Sequence, residues 1–218
     1  MISIENQQKL FLNIGQLLNK RVTVYAVGGT AMMFWGFKDA TLDIDLVFSN
    51  AEDRTEFINT IKNLGYALFD ECLVYGRKCN SPVMYKRDDE RFDLFLYEVI
   101  QFFFSQEMQM RATKTYEFDK LILKVTDPHD IILMKCATDR AKDMDDARKI
   151  LSTYIMSWEI LLAESKNQIN LGKTIAAFEL GSFLEKMKDT YDIPIPKEVI
   201  DSLWEIVMQQ MKEKTRDN

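Results

Sequence analysis

Residues 22 to 48 constrain this chain most: they read as a β-strand, a glycine turn, a short helix and a second strand that opens on two aspartates. Val22 to Val27 is rich in β-branched and aromatic residues and stops at Gly28-Gly29. Ala31 to Trp35 opens a short helix that ends near Gly36, and Asp43 to Phe48 forms the next strand. Two strands so close together, joined through a helix, commit this segment to a sheet backed by helices.

The flanking sequence extends that layer. Leu10, Phe11, Ile14, Leu17 and Leu18 recur at helical spacing over residues 5 to 19. Phe57, Ile58, Ile61 and Leu64 do the same over Arg54 to Leu64, with Gly65 as the stop. Short strands are expected at Tyr66 to Phe69, Val83 to Tyr85, Phe92 to Tyr97 and Leu121 to Val125. Asp127-Pro128 starts a helix that runs to about Ala137, and another begins near Asp143. From about Ser152 the pattern is helical only, and Pro194 and Pro196 interrupt it before the last helix. The predicted class is therefore α/β (α+β): a small mixed sheet over residues 1–151, then a helical C-terminal part over 152–218.

Composition excludes several function classes. A net charge of −6 argues against a protein that binds nucleic acid by bulk electrostatics. Three cysteines without a CxxC pair, and a single histidine, His129, exclude an ordinary Cys/His zinc site and suit a reducing cytoplasm. The first residues show no basic stretch followed by an apolar one, so no secretory signal is expected. The apolar run from Val99 to Phe104 is too short to cross a bilayer. His129 is expected at the surface. The methionines and Phe102-Phe103-Phe104 are expected in the core. Arg77, Lys78, Lys86, Arg87 and Arg91, interspersed with Asp88, Asp89 and Glu90, read as a solvated hairpin.

In Asp43-Ile44-Asp45 the acids are two apart on a strand, so both leave from one face. Like charges held that close raise each other's pKa unless a cation lies between them. A hard, oxygen-preferring ion such as Mg²⁺ or Mn²⁺ resolves the conflict. Asp93, on another strand between Phe92 and Leu94, is costly in such a setting unless it meets a cation or hydrogen-bond donors. A site shared with Asp43 and Asp45 would supply one. Read alone, a DxD is more often a solvated strand end.

The preceding glycines weigh against that bland reading. Gly28-Gly29-Thr30 lets backbone approach a phosphate, at a helix start with free N–H groups and a positive dipole end. The whole segment V-G-G-T-A-M-M-F-W-G-F-K-D-A-T-L-D-I-D-L-V-F (27–48) resembles the nucleotidyltransferase superfamily that includes DNA polymerase β, the CCA-adding enzymes and the antibiotic nucleotidyltransferases. Within it the chain is most similar to the branch of AbiEii-type toxins and related uncharacterised proteins. Lys38 stands where arginine is common in that branch, a point charge in place of a bidentate fork. A second stretch, D-I-I-L-M-K-C-A-T-D-R-A-K-D-M-D-D-A-R-K-I-L (130–151), is similar to that branch's helix lysine followed by R-x-K-D-x-x-D.

The resemblance implies a metal-dependent transfer of a nucleoside monophosphate from a nucleoside triphosphate to a hydroxyl. It implies metal at Asp43, Asp45 and Asp93, phosphates cradled by Gly28, Gly29 and Thr30, and the triphosphate neutralised by Lys135 with Arg140. The acceptor would be an RNA (tRNA) end or a protein side chain, and a cognate antitoxin the partner. Lys135 interrupts an apolar helix, and a lysine on a buried face needs an anion; a surface lysine is the alternative. Asp143 could equally be a helix cap. A non-catalytic nucleotide-binding or scaffold protein of the same fold is the second reading. A P-loop kinase or an α/β-hydrolase lacks its required motif in this sequence.

Overall fold

The structure is a computed structural model that describes residues 1–70, 81–138 and 140–216. Cys72, Cys79, Arg77 and Lys78 lie outside those residues. The chain divides into two compact units, Met1–Asp127 and Pro128–Asn218.

The first unit is an α/β layer, as its sequence periodicity implies. In chain order it contains β1 (Ile2–Ser3), α1 (Ile4–Leu17), β2 (Val22–Ala26), α2 (Gly28–Trp35), β3 (Ala40–Thr41), β4 (Ile44–Phe48), α3 (Ala51–Asn63) and β5 (Ala67–Phe69). There follow β6 (Val83–Arg87), β7 (Glu90–Leu96), β8 (Glu98–Val99), β9 (Phe102–Phe103), α4 (Gln106–Arg111), β10 (Lys114–Phe118) and β11 (Leu121–Val125). The main sheet runs β10-β11-β2-β4-β7-β6-β5. It is mixed: β11 with β2 and β4 with β7 are parallel, whereas β2 with β4 and β6 with β7 are antiparallel.

The central strands are buried on both faces. Ile44, Leu46, Val47 and Phe48 of β4 and Phe92, Leu94 and Phe95 of β7 are almost fully enclosed. Such strands read as near-continuous apolar runs, so an acid within one stands out. Leu10, Phe11, Ile14 and Leu18 are buried on the α1 side as expected, whereas Leu17 is half exposed. Ser3 caps α1 and Asn50 caps α3, each side-chain oxygen accepting from a backbone N–H three residues on. Gly15 lets α1 press against the β10–β11 turn: a Cβ there would stand 1.7 Å from the Phe118 carbonyl oxygen.

The second unit is helical among its described residues: α5 (Pro128–Cys136), α6 (Ala141–Thr153), α7 (Trp158–Asn170), α8 (Ala176–Tyr191) and α9 (Lys197–Arg216). Pro196 directly precedes α9. α5 and α6 pack on α8, and α5 also on α7, so they cluster with the later helices; the compact units divide between Asp127 and Pro128, upstream of the expected 151/152. Every residue of α5 is buried, including His129 and Lys135. His129 is thus a core residue and not a surface one: its Nε2 accepts from the Ser157 N–H at 2.8 Å, and its ring packs edge-on against Tyr154. Among the described residues no helix is long and apolar enough to cross a membrane.

Candidate active site

Asp43, Asp45 and Asp93 converge. Each offers one carboxylate oxygen, and the three oxygens lie within 4.8 Å of one another. The cause is register. In the parallel β4–β7 pair, Ile44 is level with Phe92 and Asp45 with Asp93. Asp43, one residue before β4, continues that register toward Arg91 on β7. The motifs Asp43-Ile44-Asp45 and Arg91-Phe92-Asp93 therefore lie side by side with their polar residues on a common face.

Each acid is held by neighbours of a different kind. Asp93 is fully buried, and Arg91 grips it in a fork, Nε to Oδ1 at 2.9 Å and Nη2 to Oδ2 at 3.3 Å. The same Arg91 Nη2 also donates to Asp43 Oδ2 in a short ion pair. The other Asp43 oxygen accepts from Thr41 Oγ1 at 3.3 Å. Asp45 Oδ2 accepts from the Gly29 N–H at 3.1 Å.

The glycine turn has become the first turn of α2 itself. Gly28 takes a left-handed φ of 52°, which favours glycine. A Cβ on Gly28 would stand 2.7 Å from Asp45 Oδ2, and one on Gly29 2.7 Å from Thr41 Oγ1. The two glycines thus bring the positive end of α2 directly onto the carboxylates. The Thr30 hydroxyl, assigned by sequence to phosphate, is buried and accepts from the Asp45 N–H at 2.9 Å. It fixes the backbone that carries Asp45.

Arg91 is the residue the sequence reading missed. It belongs to the site and not to a solvated hairpin, and its side chain is only 19% exposed. Its signal was present: Arg-x-Asp at period two, next to Asp-x-Asp, becomes visible once the strands are aligned.

In the helical unit Lys135 is buried, and its ammonium donates to Asp143 Oδ1 and Asp146 Oδ2, both at 2.6 Å. These two carboxylates meet the need for an anion that sequence assigned to phosphate. Asp143 also accepts from the Thr138 hydroxyl in a short bond and from Arg140 Nε at 2.7 Å. Burial pushes the Asp143 carboxyl up, but the charge of Lys135 and the bonds from Lys135, Thr138 and Arg140 outweigh it and hold the pKa down at about 2. Burial likewise opposes the charge on Lys135, and the two aspartates raise its pKa above the ordinary lysine value. Asp143 is no helix cap: Arg140 occupies that position without a side-chain bond, and Asp143 sits in the first turn of α6. The Arg140 side chain is 53% exposed.

The carboxylate trio suits a hard divalent ion. Three carboxylate oxygens gathered within 4.8 Å of one another are near enough to be drawn onto one such ion by side-chain movement. The donor set is all oxygen, which favours Mg²⁺ or Mn²⁺ over thiolate-seeking metals.

No protein-family model matches this sequence, and no curated protein does. Among solved structures, an antigenic nucleotidyltransferase-like protein from Paracoccidioides brasiliensis is similar, at 14% identity and a TM-score of 0.49 over 93% of this chain and 94% of that one.

Proposed function

We propose that this chain is a metal-dependent nucleotidyltransferase. The observation that carries the reading is the convergence of Asp43, Asp45 and Asp93 beside the first turn of α2. A scaffold has no physical need for three clustered acids, one of them fully buried. Asp43, Asp45 and Asp93 would hold Mg²⁺ or Mn²⁺. When bound, the ion would stabilise charge on the phosphoryl oxygens and favour ionisation of the attacking hydroxyl.

The chain's own residues account for the remaining parts of the reaction. Gly28 and Gly29 place no side chain between α2 and Asp45, which leaves backbone and helix dipole to face a phosphate. Thr30 and Thr41 orient Asp45 and Asp43 from behind. Asp93 is the acceptor-side carboxylate and takes the hydroxyl proton. The acceptor oxygen bonds to the α-phosphorus, the bond to the bridging oxygen breaks, and pyrophosphate leaves. Arg140, whose guanidinium is exposed, is assigned to the nucleotide's phosphates; Lys135, expected there from sequence, gives two of its three N–H groups to Asp143 and Asp146 and is assigned to holding Asp143 beneath Arg140.

From its three cysteines without a CxxC pair we propose a reducing cytoplasm as its setting. By its resemblance to the AbiEii-type branch, an RNA (tRNA) end or a protein side chain would be the acceptor, and an antitoxin the cognate partner. The test is incubation of the protein with each of the four α-labelled nucleoside triphosphates, Mg²⁺, total RNA and total protein. Label is expected in one acceptor pool, and none with Asp43→Asn/Asp45→Asn. Nucleotide binding without transfer to either pool would make the chain a nucleotide-binding scaffold.

A further inference from the structure

The position of Arg91 bears on how the carboxylate site could be loaded. Its guanidinium bridges Asp43 and Asp93, donating to one oxygen of the first and to both oxygens of the second. Two of the three acids that would bind a divalent ion are therefore already bound to a cation that belongs to the chain. The arrangement is built in by register, because Arg91 and Asp93 share one strand face and the strand carrying them is parallel to the Asp43–Asp45 segment. Its geometry is that of a strong pair: a planar fork on a carboxylate in a largely enclosed setting. A divalent ion entering between Asp43 and Asp93 would meet a positive charge within bonding distance of the same oxygens, and the two repel.

We propose that Arg91 is an internal competitor of the metal: the site rejects the free divalent cation and accepts it together with an anionic ligand that draws the guanidinium away. The proposal rests on reading the carboxylates as a cation site. It assigns Arg91 a positioning role whose effect lies in metal selectivity. A nucleoside triphosphate has the required chemistry, since its oxygens offer the fork a second anion to grip. Arg91 would then pass from the carboxylates to the phosphates, and the site would bind metal as a complex and not one ion at a time. The consequence is economy of binding specificity: cytosolic Mg²⁺ alone would leave the site closed.

The experiment is a titration with Mn²⁺ alone, followed by electron paramagnetic resonance or calorimetry, on the full chain. Wild type is expected to bind Mn²⁺ weakly. Arg91→Ala should bind it about ten- to a hundredfold more tightly, the range of one charge-assisted hydrogen bond. Arg91→Lys, which keeps the charge and loses the fork, should fall between the two. Where Arg91→Ala does not fold, Arg91→Gln carries the same test. In a second arm, a non-hydrolysable nucleoside triphosphate should increase protein-bound Mn²⁺ in wild type more than in the Arg91 variant. Equal Mn²⁺ affinity in wild type and variant would overturn the competitor role and leave the metal site standing. Absence of Mn²⁺ binding in both, with or without the triphosphate, would overturn the competitor role and the metal reading together.

Discussion

Two ionic clusters among the described residues are built by opposite rules. On β4 and β7, Asp43, Asp45, Asp93 and Arg91 sum to a charge of −2, from adjacent strands of a sheet. In the helical unit, Lys135, Arg140, Asp143 and Asp146 sum to zero, and both oxygens of Asp143 accept from neighbours. A charge-balanced cluster has met its own demands and behaves as an internal fastening. An acid-rich one is where a ligand that brings positive charge is expected. Net charge, more than burial or saturation, distinguishes the two: Asp93 and Asp143 are both almost wholly enclosed, and both oxygens of each accept from neighbours.

The comparison breaks most readily at Lys135. Lys135→Ala would leave Asp143 and Asp146 buried with their main cation gone, at an expected cost of about 3–5 kcal/mol in equilibrium urea unfolding. A loss under about 1 kcal/mol would show that the cluster is loosely held. On the other side, Asp93→Asn should lower nucleotide transfer at least about a hundredfold, because it removes the carboxylate proposed to take the hydroxyl proton. The fold should survive, since Arg91 keeps Asp43 as a partner. Undiminished label transfer by Asp93→Asn would place the chemistry elsewhere.

Asp43→Asn with Asp45→Asn sharpens the contrast further. In wild type, a nucleoside triphosphate with Mg²⁺ at about 100 times its dissociation constant should stabilise by about 2.7 kcal/mol, read as a melting shift. The double variant should lose that shift while its ligand-free stability changes by no more than about 1 kcal/mol, because the repulsion that goes offsets the Arg91–Asp43 pair lost with it and the Arg91–Asp93 pair stays. A double variant that does not fold would make these acids structural after all.

The smallest expected effect is on pH dependence, and it belongs to the balanced cluster. The Asp143 pKa is depressed from 3.8 to about 2, so its contribution is complete above about pH 5 and is lost as pH falls toward 2. That contribution is about 2 kcal/mol. The raised pKa of Lys135 has the opposite window: its share is present below the ordinary lysine range and is lost only in strong alkali. Acid unfolding of Asp143→Asn should lack the step that wild type shows in this interval.

Local periodicity made much of this legible from sequence. The strands at 22–26 and 121–125, the helix after Gly28 and the acids at 43, 45 and 93 all announce themselves within a few residues. What depended on distant partners did not. Arg91 was hidden in a run of mixed charges, and only the pairing of β7 with β4 shows whose neighbour it is. His129 follows a good helix-start signal, yet its burial is set by Tyr154 and Ser157, far downstream. Lys135 was recognised as needing an anion, and the anion came from α6, which helical periodicity alone does not aim. β10 alternates half-buried Lys114, Tyr116 and Phe118 with exposed Thr115 and Glu117, a weaker signal than the apolar run of β11 beside it.

The parallel pairing of β4 with β7 has a consequence for the life of the chain. Parallel neighbours need a crossover, and α3, β5 and β6 lie between these two strands. During synthesis Asp43 and Asp45 emerge well before Arg91 and Asp93, so a nascent chain that ends short of β7 carries half a site and none of its counter-charge. A chain in which β7 slipped by two residues toward the end of β4 would bring Asp93 level with the buried Val47 and lose the trio as well. The cluster thus serves as a certificate of completion: it forms in molecules whose sheet has closed in the right register, and unfinished copies lack it.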